Sequence, residues 1–336
     1  MDKAIKQLKL RDIIAYIVGI LLLVIVGIKI FTNKDYLSLI SDISYVDMIV
    51  SLFLSFFLFF TNGCIIAYLT QRHYKTPIKL IDITMLPFMM HFWSFILPFR
   101  GGLIFAVLFL KKKYHIKPSE GIAIGVYTSL ISLIITGLCG LYYAYYNNFF
   151  FSVWTVVSMS LVFSPIIFKM IEKGLGLIPL KKFPVFNNIK KIISVISFNA
   201  QNFFSDYKTS TTIFLFTCAS IVTDIVLVYW ITNILNMNIP LDVIVMFSLM
   251  MRLSILIRIV PGNIGIQELL SGGVFYFLGG SLNNGLLIAL FVRFLALLLT
   301  FSLGPIGTAG NIKYFTIRDI ITSWRALNQK DIKTYK

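Results

Sequence analysis

Two stretches decide how this chain folds: Leu97-Pro98-Phe99-Arg100-Gly101-Gly102 and Val260-Pro261-Gly262-Asn263-Ile264-Gly265. Each sets a proline and glycines, with an arginine at or near them, in the middle of a long apolar run. Proline removes a backbone donor and glycine loosens a helix, so a break is expected at Pro98, Gly101 and Gly102, and another at Pro261, Gly262 and Gly265. Broken backbone at membrane depth survives only where protein or a water-filled cavity satisfies its polar groups. Interrupted hydrophobic segments at matching positions in two halves point to a transport site.

The composition around these stretches is that of an integral membrane protein. Apolar residues make up 58% of the 336 and charged residues 13%. Mean hydropathy is +0.86. Several runs reach the roughly 20 residues that cross a bilayer. The first, 13–30, follows Lys3, Lys6, Lys9 and Arg11 as a signal peptide would. Its core is too long and no small-residue cleavage site follows, so a retained span is expected. The net charge of +16 would suit nucleic acid, but the charges sit in short loops between apolar runs, and no nucleic-acid partner is expected. Cys64, Cys139 and Cys218 lie inside apolar segments without metal or disulfide spacing and read as small buried hydrophobes.

Orientation follows the Lys/Arg bias of the loops. The basic N-terminus is cytoplasmic. Span 13–30 leads out to Lys34, Asp35, Asp42 and Asp47, and span 46–70 returns to Arg72, Lys75 and Lys79. The run 83–110 starts from that basic loop and ends at Lys111, Lys112, Lys113 and Lys117, so both ends are cytoplasmic. A hairpin bent at Pro98 satisfies this, with limbs of about 15 and 12 residues, roughly 22 and 18 Å, each too short to cross. Span 119–145 goes out, and span 149–168 returns to a linker carrying Lys169, Lys173, Lys181, Lys182, Lys190 and Lys191. Within the linker, 169–210, Ile189, Ile192, Ile193, Ile196, Ala200, Phe203, Phe204 and Tyr207 recur at helical steps. That one-faced helix suits an anionic cytoplasmic leaflet, or equally a packed connector. Span 211–235 goes out, 241–281 forms a second hairpin broken at Pro261-Gly262, and span 286–307 returns to a basic tail, 308–336. Of 30 Lys and Arg, all but Lys29, Lys34, Arg100, Arg252, Arg258 and Arg293 fall in segments placed in the cytoplasm.

The expected fold is therefore all-α and polytopic: six full spans plus two re-entrant helical hairpins, in one transmembrane domain with both termini cytoplasmic. Repeat one covers about 46–145 and repeat two about 211–307. The first begins outside and the second inside, which makes an inverted-topology repeat with its site near the midplane.

The run Pro261-Gly262-Asn263-Ile264-Gly265-Ile266-Gln267-Glu268, with Arg293 further on, resembles the transmembrane region of lysylphosphatidylglycerol synthases, the flippase-like domain. That family shows proline-glycine-glycine-x-glycine-x-x-glutamate and then an arginine in its last helix. Asn263 stands in place of the second glycine, and Glu268 and Arg293 stand where the family has its acid and arginine. At the first hairpin the family tends to follow its proline with a glycine-glutamate pair and an arginine; this chain has Gly101-Gly102-Leu103, with Arg100 earlier. His115-Ile116-Lys117-Pro118-Ser119-Glu120 is also similar to the family. The resemblance implies movement of a lipid or lipid-linked headgroup between leaflets. Synthase members add a soluble aminoacyl-transferase domain after the membrane region; the residues after the last span leave no room for one, so synthesis of aminoacyl lipid is not expected of them.

A charge at the bilayer centre costs about 2.5–3.5 kcal/mol on insertion scales, so each one retained needs a partner or a role. Glu268 paired with Arg293 or with Arg258 would leave one cation for a phosphate, which arginine binds bidentately. The alternative is a structural ion pair pinning the hairpin. Arg100 at the first tip would meet a lipid phosphate or bond the carbonyls freed by Pro98. Asp224 reads as a protonatable coupling group, or as an acid hydrogen-bonded to a neighbour near Ser220 and Thr223. Arg252 is expected to snorkel to outer headgroups, and His91 to be packed and hydrogen-bonded.

No G-x-x-x-x-G-K-[ST] argues against ATP-driven pumping, and neither H-E-x-x-H nor G-x-S-x-G is present. The expectation is a non-enzymatic translocator of an anionic phospholipid or a polyprenyl-phosphate-linked envelope intermediate in the plasma membrane, without a cofactor. One rival is a non-transporting subunit that docks an envelope-biosynthesis enzyme through the basic linker. Another is a transferase acting on lipid-linked sugars, with Asp35, Asp42 and Asp47 as weak metal ligands. A homo-oligomer is left open.

Overall fold

The computed structural model describes residues 43–97, 101–147, 206–253 and 265–314, together with Asp319 and Thr322. Among the described residues the chain is helical throughout: α1 (Tyr45–Tyr74), α2 (Leu80–Ile96), α3 (Gly101–Tyr114), α4 (Pro118–Asn147), α5 (Tyr207–Ile234), α6 (Leu241–Leu253), α7 (Ile266–Phe277) and α8 (Leu282–Gly310). Spans 13–30 and 149–168, most of the linker and most of the tail lie outside the described residues.

Local signals set the helix ends. Ser44 accepts the Asp47 N–H at 3.1 Å and opens α1, with Asp47 in the first turn at the positive end of the helix dipole. Asp47, one of the three acids weighed as metal ligands, also accepts the Ser44 hydroxyl at 2.6 Å; Asp35 and Asp42 lie outside the described residues. Proline opens α4, where a missing N–H costs nothing. Asp206 opens α5 by accepting the Thr209 hydroxyl at 2.7 Å.

Among the described residues, four helices are long and apolar enough to cross a membrane: Tyr45–Tyr74, Pro118–Tyr142, Tyr207–Ile234 and Leu282–Gly310. They coincide with four of the six expected spans. Phe53, Leu215, Val222, Leu298 and Phe301 are exposed on three of them, a surface that suits hydrocarbon rather than water. The run 83–110 is divided into α2 and α3, of 17 and 14 residues. The run 241–281 is divided into α6 and α7, of 13 and 12. Phe247 meets Phe275 and Met251 meets Ser271, so α6 and α7 run antiparallel as a helical hairpin. Gly101 and Gly102 open α3 rather than interrupt a helix, which places the first break before them.

The helices gather into two compact units. One is drawn from Met1–Leu58, His91–Gly102 and Ile221–Gly304, the other from Phe59–Met90, Leu103–Ser220 and Pro305–Lys336, in each case through the described residues. The core of the first joins Leu227, Val228 and Ile231 of α5, Ile244 and Phe247 of α6, Phe275 of α7 and Leu286, Phe291 and Leu295 of α8. In the second, Phe59 of α1 meets Phe88 of α2 with the rings tilted and their centroids 4.8 Å apart, and Tyr127 of α4 reaches Ser210 of α5 at 3.2 Å.

Cys64, Cys139 and Cys218 are free thiols, half-buried rather than fully buried. His91, expected to be packed, is exposed on α2: it stands two positions from the buried Met89 and the buried Trp93, roughly opposite them round the helix.

Candidate functional site

The site is built on the first turn of α7. Gly265 precedes that helix with φ 81° and ψ −41°, a left-handed conformation that glycine adopts at little cost. The turn brings Glu268, third residue of the helix, back over its start. Glu268 Oε2 accepts the Gly265 N–H at 2.7 Å. This satisfies a donor that a helix N-terminus leaves without an intrahelical partner and sets negative charge against the positive end of the dipole. Glu268 is 3% exposed.

Its other oxygen, Oε1, lies 3.4 Å from Nε of Arg293 on α8. The same guanidinium donates from Nη1 to Gln267 Oε1 at 2.6 Å. It also faces the ring of Phe95, whose centroid is 5.4 Å from Arg293 Cζ. Phe95 lies on α2, close to the first break, and is backed by Phe301 at 5.7 Å, which also meets Phe92 at 5.6 Å. Arg293 is thus held between the start of α7 and the end of α2, the helices beside the two interruptions. At the first of these, the Gly102 N–H donates to Ser94 Oγ at 3.2 Å. A Cβ on Gly101 would run into Leu97 and the Trp93 carbonyl.

Of the two partners expected for Glu268, Arg293 is in place. Arg258 lies outside the described residues, as do Arg100, Pro98, Pro261 and Gly262. Asp224 is bound by a cation: Arg252 Nε of α6 donates to its Oδ2 at 3.0 Å. This corrects the expectation for Arg252. Its side chain is turned to α5 and is 12% exposed, because a carboxylate within reach inside the fold competes with distant headgroups. Glu268–Arg293 and Asp224–Arg252 are both in the first compact unit.

The second unit holds a charge cluster absent from the sequence-based expectations. Asp82 of α2 is 2% exposed. It takes the Lys113 ammonium of α3 at 2.8 Å on Oδ1 and 2.7 Å on Oδ2, and it accepts the Tyr114 hydroxyl. Lys113 also donates to Asn311 Oδ1 at 2.6 Å, and Asn311 Nδ2 donates to the Gly307 carbonyl at 2.8 Å. The rings of Phe109, Tyr114 and Tyr314 surround the ammonium at 5.1–5.9 Å. In the sequence Lys113 reads only as one of four lysines that end the run 83–110, and Asp82 draws no reading. The available signal was an acid just inside an apolar run, 31 residues before a lysine at the other end of the same hairpin.

A buried guanidinium aimed by a neutral amide and an aromatic face can bind an oxyanion through its planar fork. The family profile described as the lysylphosphatidylglycerol synthase TM region matches residues 13–304. No curated protein and no solved structure matches the chain. The match runs through both interrupted segments and through Glu268 and Arg293, and the chain belongs to the lysylphosphatidylglycerol synthase transmembrane-region family, membrane proteins of lipid and envelope biosynthesis or translocation.

Proposed function

We propose that this protein moves an anionic phospholipid, or a polyprenyl-phosphate-linked envelope intermediate, between the leaflets of the plasma membrane without ATP and without a covalent step. The observation that carries the reading is Arg293, held by Gln267 and Glu268 at the start of α7 and by the Phe95 ring at the end of α2. One cation between two interrupted helices is where a phosphate could exchange partners during passage. Arg100 and Arg258, near the tips, would hand the headgroup to it. Asp224, paired with Arg252, is the group whose protonation would free a second cation and couple movement to protons.

In this reading α2–α3 and α6–α7 are re-entrant hairpins that enter from opposite faces, and the chain is an inverted repeat with both termini cytoplasmic. The limb lengths support it. Helices of 17, 14, 13 and 12 residues reach about 26, 21, 20 and 18 Å, short of the roughly 30 Å of hydrocarbon. Cysteines placed at Asn147 and Asn283 should then label from outside, and one at Lys112 only after permeabilisation. Outside labelling at Lys112 would mean a full crossing.

The function itself is tested by reconstituting purified protein in liposomes and following fluorescent lipids between leaflets. Anionic label should cross faster than zwitterionic label, and Arg293→Ala should slow it. A wild type no faster than empty liposomes for any phospholipid would favour the enzyme-docking subunit. A metal-dependent change in a lipid-linked sugar would favour the transferase.

A further inference from the structure

We propose that Ser51 and Ser55 of α1, with Ser248 of α6, form a hydroxyl-lined site for a polyol, the glycerol or sugar-like part of a lipid headgroup. The inference rests on the translocation reading above and adds a second chemistry to it: arginine for the phosphate, serine for the hydroxyls.

A serine or threonine inside a helix has a partner close at hand, the carbonyl four residues earlier. Thr70, Thr217 and Ser302 take it, at 2.7, 2.8 and 2.6 Å. Ser51, Ser55 and Ser248 do not. They are 0%, 3% and 2% exposed, and among the described residues their hydroxyls have no hydrogen-bond partner. A hydroxyl buried in this way loses its bonds to water and gains none in exchange. Alanine would fill nearly the same space without that cost, so packing alone does not call for serine.

The three serines border one core. Ser51 and Ser55 stand one turn apart on α1, with Cβ atoms about 5–6 Å from each other, close enough for one polyol to bond both. Leu52 and Leu58 of the same helix pack against the cluster that holds Ile244 and Phe247 of α6 and Phe291 and Leu295 of α8. Ser248 follows Phe247 in the chain, and all three serines lie in the first compact unit, as Arg293 does. The chemistry of the site selects its ligand. A serine hydroxyl donates one hydrogen bond, accepts two and carries no charge. Such groups match the hydroxyls of a polyol one for one, whereas a phosphate is better served by the fork of an arginine.

The test reads lipid retention by the purified protein in native mass spectrometry, with phosphatidylglycerol, phosphatidylinositol and phosphatidic acid offered in equal amounts. The first two carry a polyol beyond the phosphate, glycerol in one and a sugar-like ring in the other; the third carries none. Wild type should retain a polyol lipid over phosphatidic acid, and which of the two it prefers tells glycerol from ring. The triple variant Ser51→Ala, Ser55→Ala, Ser248→Ala should lower that ratio at least about fivefold, as the loss of one ordinary hydrogen bond implies. Without added lipid it should melt no lower than wild type, because it removes hydroxyls that the fold does not bond. A wild type with no preference for either polyol lipid, or a triple variant that keeps the preference, overturns the proposal. A triple variant that melts well below wild type without lipid assigns the hydroxyls to the protein's own packing and overturns it too. Fluorescent lipids in liposomes are followed in parallel. If none crosses while the retention results hold, the polyol site stands and the translocation reading fails.

Discussion

Two charge clusters among the described residues, Asp82 with Lys113 and Glu268 with Arg293, are made of the same kinds of parts and differ in how those parts are used. Asp82 has both oxygens on the Lys113 ammonium and takes a tyrosine hydroxyl besides; Lys113 in turn has an amide and three rings. Each group meets a partner of its own. In the other cluster Glu268 is divided between a helix end and an arginine 3.4 Å away, and that arginine is nearest a neutral side chain. The first is a closed network whose role is to hold α2 and α3 together. In the second, the described contacts set Arg293 closer to a neutral amide oxygen, 2.6 Å away, than to the carboxylate at 3.4 Å. Burial of charge is common to both and so marks neither; the disposition of partners separates them.

The difference can be attacked where it should be largest. Asp82→Asn strips the carboxylate from a buried ammonium, and losing one partner of such a pair costs about 3–5 kcal/mol. Thermal unfolding in detergent should show it. Adding Lys113→Met should restore most of the loss, since replacing both members of a buried pair by neutral groups is often harmless. A single Asp82→Asn protein as stable as wild type would show that the network is not closed.

Glu268→Gln should cost less, about 1.5–3 kcal/mol, because the charge-assisted bonds weaken while the amide can still accept the Gly265 N–H. If its loss equals that of Asp82→Asn, the two clusters are alike and the contrast fails.

Phe95→Leu removes the ring beneath Arg293, worth about 0.5–1 kcal/mol or up to about 2 when desolvated. The fold should persist while movement of anionic lipid slows. An unchanged rate would make the ring mere packing.

The smallest effect is expected at the exposed pair of Arg72 and Asp206, 3.0 Å apart. Hydrogen bonds from Thr209 and Arg72 hold the Asp206 carboxyl down to about 2. A depressed carboxylate contributes fully above its unfolded value near 4 and loses that contribution as pH falls towards about 2. Asp206→Asn should thus leave the melting temperature nearly unchanged at neutral pH and slightly flatten its fall in acid, read by melts from pH 7 to 3.

Much of the fold was legible because hydrocarbon makes run length decisive. The span expected at 46–70 is α1, Tyr45–Tyr74, and that at 286–307 is α8, Leu282–Gly310. Lysines at both ends of 83–110 call for an interruption, and α2 ends at Ile96 while α3 begins at Gly101. The site was legible in part. Glu268 and Arg293 stood out as charges in apolar runs, but Gln267, being neutral, carried no such signal. Its contact spans 26 positions between separate helices, which no periodicity encodes. Asp224 and Arg252 were each conspicuous, and yet their pairing depends on the packing of α6 against α5. Asp82 was hidden because an acid at the edge of an apolar run looks like the end of a span.

The most direct measurement sets two charge-neutral double variants side by side in the liposome assay: Asp82→Asn with Lys113→Met, and Glu268→Gln with Arg293→Met. Both should fold, since neither leaves a buried charge alone. The account predicts near wild-type movement of phosphatidylglycerol by the first and none above empty liposomes by the second. Equal rates for the two, or loss confined to the first, would contradict it.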